Sequence, residues 1–136
     1  MSVENVATAT TFEYNDSVLA GAADELTLNL SGVMAAVTIG TNGDADGDYE
    51  TLTVNATGAN SDLQAGGGLG GDVATLNVKG AAAVDFGTGA AFANIATFDA
   101  SDNTGGVTAV LPADGVAGAT NTKTITGSGA ADTLDV

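Results

Sequence analysis

Nine residues, Asn42-Gly-Asp44-Ala-Asp46-Gly-Asp48-Tyr-Glu50, place four carboxylates at alternate positions of a glycine-bearing stretch. Calcium takes six to eight oxygen ligands at about 2.3–2.6 Å and tolerates irregular loops. Alternate side chains of one turn can converge on such an ion, so Asn42, Asp44, Asp46, Asp48 and Glu50 are candidate calcium ligands. The first half, N-x-D-x-D-G, has the spacing of an EF-hand loop. The second half departs from it, because Thr53 stands where a bidentate Glu is required. The residues therefore point to a calcium turn between two structural repeats. A solvated acidic turn without an ion is the alternative they leave open.

Two further acidic stretches can supply hard oxygen ligands. Gly127-Ser-Gly-Ala-Ala-Asp132-Thr-Leu134 resembles the RTX nonapeptide G-G-x-G-x-D-x-U-x. Asp132 takes the Asp position and Leu134 the inward apolar one, while Ser128 and Ala130 replace two glycines. Asp132 then supplies half a site, the rest coming from a neighbouring coil. Asp99-Ala-Ser-Asp102-Asn-Thr-Gly-Gly106 puts Asp99 and Asp102 at a strand-to-turn junction, with Asp85 expected to approach if coils stack in register. An Asx turn is the commoner cause of this last pattern.

Composition narrows the remaining chemistry. The 136 residues hold 17 acids against two bases, Lys79 and Lys123, for a net charge of −15. Two carboxylates about 4 Å apart repel by roughly 4 kcal/mol at an effective dielectric of about 20, so a compact fold gains from bound cations. Nucleic acid and anionic membrane surfaces are poor partners for such a chain, since both need Lys and Arg. His, Cys, Arg and Trp are absent, which removes His acid–base catalysis, Cys nucleophiles, His or Cys zinc sites and disulfides. The expectation is a protein that is not an enzyme. No run approaches the ~20 apolar residues of a membrane span. The start lacks the basic and apolar regions of a signal peptide, and the end stops within a strand pattern, so the chain reads as a fragment of a longer one.

The elements that position these acids repeat. TLNLSG (27–32), TVNATG (53–58), TLNVKG (75–80), TFDASD (97–102) and TKTITG (122–127) begin 26, 22, 22 and 25 residues apart. Such periods signal one coil of a solenoid per repeat. Side chains alternate within each hexamer: Leu26, Leu28 and Leu30 share one face, as do Leu52, Val54 and Ala56. Period two means a strand with its apolar side inward. The fifth copy departs, because Lys123 occupies an apolar position. Shared hexamer register predicts an outward column Asn29, Asn55, Asn77, Asp99, with Leu30, Ala56, Val78 and Ala100 inside. Shorter strands follow most copies at 36–39, 83–86, 107–111 and 133–136, separated by Gly and Asp turns.

The fold class expected is all-β: a parallel β-helix or β-roll-like solenoid of about five short coils over 25–136, with 1–24 as an N-terminal cap or linker. An antiparallel β-sandwich also has many short strands, but gives no reason for the hexamers to resemble one another.

The stretches Asp72–Phe86, Asn94–Leu111 and Thr122–Val136 together resemble bacterial surface-layer proteins and RTX-type adhesins exported by type I secretion, over roughly 24–136. The resemblance implies a calcium-stabilised β-helix or β-sandwich that folds outside the cell, in a lattice or adhesin on the bacterial cell surface. It also implies an uncleaved C-terminal export signal. The function expected is a structural, self-associating calcium module. The alternative is an adhesin-type module binding carbohydrate, such as a surface polysaccharide, or ice through outward threonines. A polysaccharide-cleaving β-helix is disfavoured, since it needs a carboxylate pair in a cleft and aromatic platforms for sugar.

Overall fold

The computed structural model describes residues 1–15, 17–19, 21–41, 49–64, 68–69, 72–87, 92, 94–111 and 123–136. Among these there is no helix, and twelve strands run in chain order. They are β1 (Ser2–Glu4), β2 (Thr10–Tyr14), β3 (Glu25–Ser31), β4 (Val37–Thr41), β5 (Thr51–Ala56), β6 (Ser61–Asp62), β7 (Thr75–Lys79), β8 (Val84–Asp85), β9 (Thr97–Asp99), β10 (Val107–Val110), β11 (Thr124–Thr126) and β12 (Thr133–Asp135). Every pairing between them is parallel. One sheet has the order β1-β3-β5-β7-β9-β11, a second β12-β10-β8-β6, and a third β2-β4. Each strand thus pairs with the strand one coil away, which makes the chain a parallel β-solenoid of about four turns between β3 and β11. The antiparallel sandwich is excluded.

Alternation within the hexamers sets which face turns inward. Leu26, Leu52, Leu76, Phe98 and Ile125 form one inner row across five strands. Leu28, Val54 and Val78 form the next row, and Val3, Leu30 and Ala56 a third. All are buried except Ile125, at the outermost strand, which is 37% exposed. Phe92 packs edge-on against Phe86 at 5.3 Å between centroids. Each such buried aliphatic or aromatic side chain contributes about 1.5–3 kcal/mol, so a core with few aromatics is filled by stacking one row per coil.

Glycine turns the corner out of the long sheet. Gly32, Gly58 and Gly80, the last residues of the first three hexamers, have φ of 62°, 66° and 100°. At Gly80 a Cβ would overlap the carbonyl oxygen of Ala56 in the coil below. In the fourth copy Asp102 takes this place and the buried Asn103 follows. Its Nδ2 donates to the Ala82 carbonyl at 3.0 Å, and its Oδ1 accepts the Gly105 and Gly106 N–H groups, both at 2.9 Å.

One expectation is corrected here. The predicted column Asn29, Asn55, Asn77, Asp99 does not form. Asn55 stacks on Asn29, but Asn77 stacks on Thr53 and Lys79 on Asn55. The register slips by two residues between β5 and β7, and again between β9 and β11, where Thr124 and not Thr122 meets Thr97. A slip of two keeps every side chain on its own face, so Leu30, Ala56, Val78 and Ala100 remain inside. Residues 1–14 supply a coil of their own: β1 stacks on β3 and β2 on β4.

Candidate functional site

Among the described residues, polar side chains gather at the corners and on the outer faces of the sheets. One corner is built from the residue preceding each long-sheet strand. The Asp24 carbonyl accepts the N–H groups of both Glu50 and Thr51, the Glu50 carbonyl those of Ala74 and Thr75, and the Ala74 carbonyl those of Ala96 and Thr97. Asp24, Glu50, Ala74, Ala96 and, by the pairing of Thr124 with Thr97, Lys123 therefore form one corner column. Glu50 is tied further into it, because its Oε2 accepts the Asp24 N–H at 2.7 Å. Tyr49 beside it is buried and its hydroxyl donates to the Leu69 carbonyl at 2.6 Å. The last residue of the acidic motif is thus fixed at a coil junction beside Asp24, an acid the sequence reading passed over. Asn42, Asp44, Asp46 and Asp48 lie outside the described residues.

At the other pole of that column Lys123 carries a buried Nζ with no hydrogen-bond partner. The apolar position that Lys123 fills by sequence is taken in the fold by Ile125, which stacks on Phe98, and Lys123 lies in the corner column instead.

Asp99 and Asp102 share a shallow recess of about 150 Å³ with Asn77, Lys79 and Ser101. Asp99 Oδ1 accepts the Ser101 N–H at 2.9 Å, which is the Asx turn. The backbone and then the hydroxyl of Ser101 hold the Asp99 carboxyl below its ordinary range, against desolvation and with a smaller pull from Lys79. Lys79 Nζ stands 4.0 Å from Asp102 Oδ2 with both side chains largely exposed, a geometry worth little in water. Asp85 does not join them. It sits in the second sheet, paired with Asp62 and Thr108, because the strand after the corner belongs to another face.

Asp132 joins two coils. Its Oδ1 accepts the Val107 N–H at 2.9 Å and the Ser128 hydroxyl at 2.6 Å, and its Oδ2 accepts the Ser128 N–H at 2.7 Å. Desolvation is the largest single influence and raises its pKa, but the three hydrogen bonds together outweigh it and the net shift is downward. Three of about four acceptor positions of the carboxylate are filled by the chain itself.

Among the described residues no three acidic side chains gather as a metal site, and no helix is long and apolar enough to cross a membrane. The long sheet's outer face carries a column in strict register, Thr51, Thr75, Thr97 and Thr124, headed by Glu25. The two-residue slip takes Asn77 and Asp99 away from Asn29 and Asn55 and sets them in the adjacent column with Thr27, Thr53 and Thr126. Compared with family models, curated proteins and solved structures, the chain gives no match.

Proposed function

We propose that this chain is a calcium-binding structural module of a secreted bacterial surface-layer or matrix protein, non-catalytic and self-associating at the cell surface. The observation that carries the reading is the junction at Glu50. The acidic motif runs into a corner where Glu50 Oε2 accepts the backbone N–H of Asp24, the next acid down the stack, whose own carboxylate accepts the Gly21 N–H. A coil junction that already brings acids of two coils together, in a chain of net charge −15, is the place where a hard cation gains most. An ion there stabilises the folded stack by mass action. Calcium titration followed by circular dichroism and melting tests this: the melting temperature rises with calcium and falls with chelator. A melt that ignores both refutes the calcium reading.

A second reading, binding of ice or of a surface polysaccharide, has one observation in its favour. The uninterrupted threonine column presents like groups at about the 4.8 Å strand spacing. Ice-recrystallisation assays and pull-down on insoluble polysaccharide, with Thr75→Tyr as the blocking variant, separate it from the first.

A further inference from the structure

We propose that the groove along the second sheet binds a linear aliphatic polyamine, with Asp62 and Asp85 holding two neighbouring ammonium groups. The proposal goes beyond the calcium reading and does not depend on it. The groove has a volume of about 310 Å³, at the low end of the ~300–1,000 Å³ of small-molecule sites. It runs along the stack from Met34 to Ala131 and crosses β6, β8 and β10. Ala83 and Gly106 give it a floor of small residues, and the exposed Met34 stands at one end. One wall is a column in register: Asp62 pairs with Asp85, and Asp85 with Thr108. Ser61, Val84 and Val107 before them are buried while these three are half-buried, so the column faces outward.

Three observations select the occupant. The first is charge. Asp62 Oδ1 accepts the Gln64 N–H at 2.8 Å and Asp85 Oδ1 the Gly87 N–H at 2.7 Å. Each carboxylate is thereby oriented, and its second oxygen has no protein partner among the described residues. Like charges directly opposite each other destabilise a sheet, and neither Lys79 nor Lys123 lines the groove. A cation from outside removes that repulsion. The second is the lining. Met34, Ala83 and Val107 stand beside the acids and no aromatic ring does, which suits methylenes carrying charged heads and gives a sugar no platform. The third is spacing. Neighbouring strands stand about 4.8 Å apart. Two amines separated by three methylenes, four zigzag bonds of about 1.5 Å, stand roughly 5 Å apart. Same-face lysines of an extended peptide start about 6.6 Å apart and miss that register. A second copy of this chain is a poor occupant, since it offers only two bases.

The test is calorimetric titration and backbone NMR shift mapping on the intact chain, with bis(3-aminopropyl)amine as the probe, at about physiological salt so that diffuse attraction is screened. One-to-one binding is expected, with shifts at Met34, Asp62, Asp85 and Thr108. Asp62→Asn and Asp85→Asn keep the acceptor of each turn and are each expected to weaken binding about tenfold, the scale of one charge-assisted hydrogen bond. The double variant and Ala83→Arg, which places a base in the groove, are expected to abolish it. Without polyamine the Asn variants are expected to melt no lower than wild type, because a like-charge contact has gone; that separates lost binding from lost folding. Glu4→Gln with Glu13→Gln removes the same charge elsewhere and is expected to leave affinity unchanged. An equal loss in that control means diffuse counterion attraction and overturns the proposal. Tighter binding of oligolysine or of a neutral oligosaccharide in the groove, or displacement of the triamine by stoichiometric calcium, overturns it too. Triamine binding with a melt indifferent to calcium would sink the calcium reading and leave this one standing; a calcium-dependent melt without triamine binding would do the reverse.

Discussion

Replacing Asn103 with Ala removes the side chain that holds the corner between β9 and β10. Three backbone groups lose their partner: the Ala82 carbonyl one coil below, and the N–H groups of Gly105 and Gly106. A typical hydrogen bond contributes about 0.5–1.5 kcal/mol net, but a buried group left unpaired costs about 1–3 kcal/mol. Ala82 and Gly106 are buried and Gly105 is half-buried, so water reaches at most one of the three. The expected loss is about 3–5 kcal/mol, a large share of the roughly 5–15 kcal/mol that holds a domain folded. Urea unfolding followed by circular dichroism measures it as a shift of midpoint at constant slope. Asn103→Asp sharpens the case, because it keeps an acceptor for the two glycines while aiming a carboxylate oxygen at the Ala82 carbonyl. It is expected to cost as much at neutral pH and less in acid, where a protonated carboxyl can donate. A loss below about 1 kcal/mol for Asn103→Ala would refute the argument that this side chain closes the corner.

Asp44→Asn with Asp46→Asn is expected to weaken calcium affinity and lower the melting temperature in calcium, with a smaller change in chelator; identical melts in calcium count against the motif. The lowered pKa values of Asp99 and Asp132 fix a sign for acid. A carboxyl held below its ordinary 3.8 adds stability that is fully present above that value and is lost as pH falls through the folded one. Asp132→Asn should therefore destabilise at neutral pH and flatten the acid limb of a stability–pH curve, whereas a limb of unchanged steepness would argue against the three hydrogen bonds. Gly80→Ala combines a φ of 100° with overlap on Ala56 and is expected to cost more than about 1–3 kcal/mol; a melt like that of wild type would mean the coils are not in contact there.

The long sheet was legible because hydrophobic alternation and hexamer similarity carry the same message. Leu28, Val54 and Val78 are inward by pattern and inward in the fold. The register was not legible, and for a physical reason. Shifting Thr75 from Thr53 to Thr51 leaves each apolar residue facing the core, so the pattern is blind to even slips. The coil lengths absorb the difference. Segment 1–14 lacked a hexamer, yet Phe12 and Tyr14 alternate with exposed Thr11 and Glu13, which was the available sign of a strand. Asp99 proved to cap a turn as its spacing to Ser101 suggested. Asp85 was misplaced because residues on either side of a corner look adjacent in a repeat alignment although they belong to different sheets. Asp62 and Asp24 gave no sequence signal, since each acquires its acidic neighbour only through stacking.

The slip of register has a consequence for how such a molecule changes length. Neighbouring coils touch each other and little else, and Thr51, Thr75 and Thr97 share one outward line. Excising 75–96 would therefore set Thr97 on Thr51 and Phe98 on Leu52, with inward residues meeting inward residues. Duplicating the same block would lengthen the rod by about 4.8 Å without disturbing either pole. On this geometry an insertion or deletion of a whole coil would keep every inward row intact.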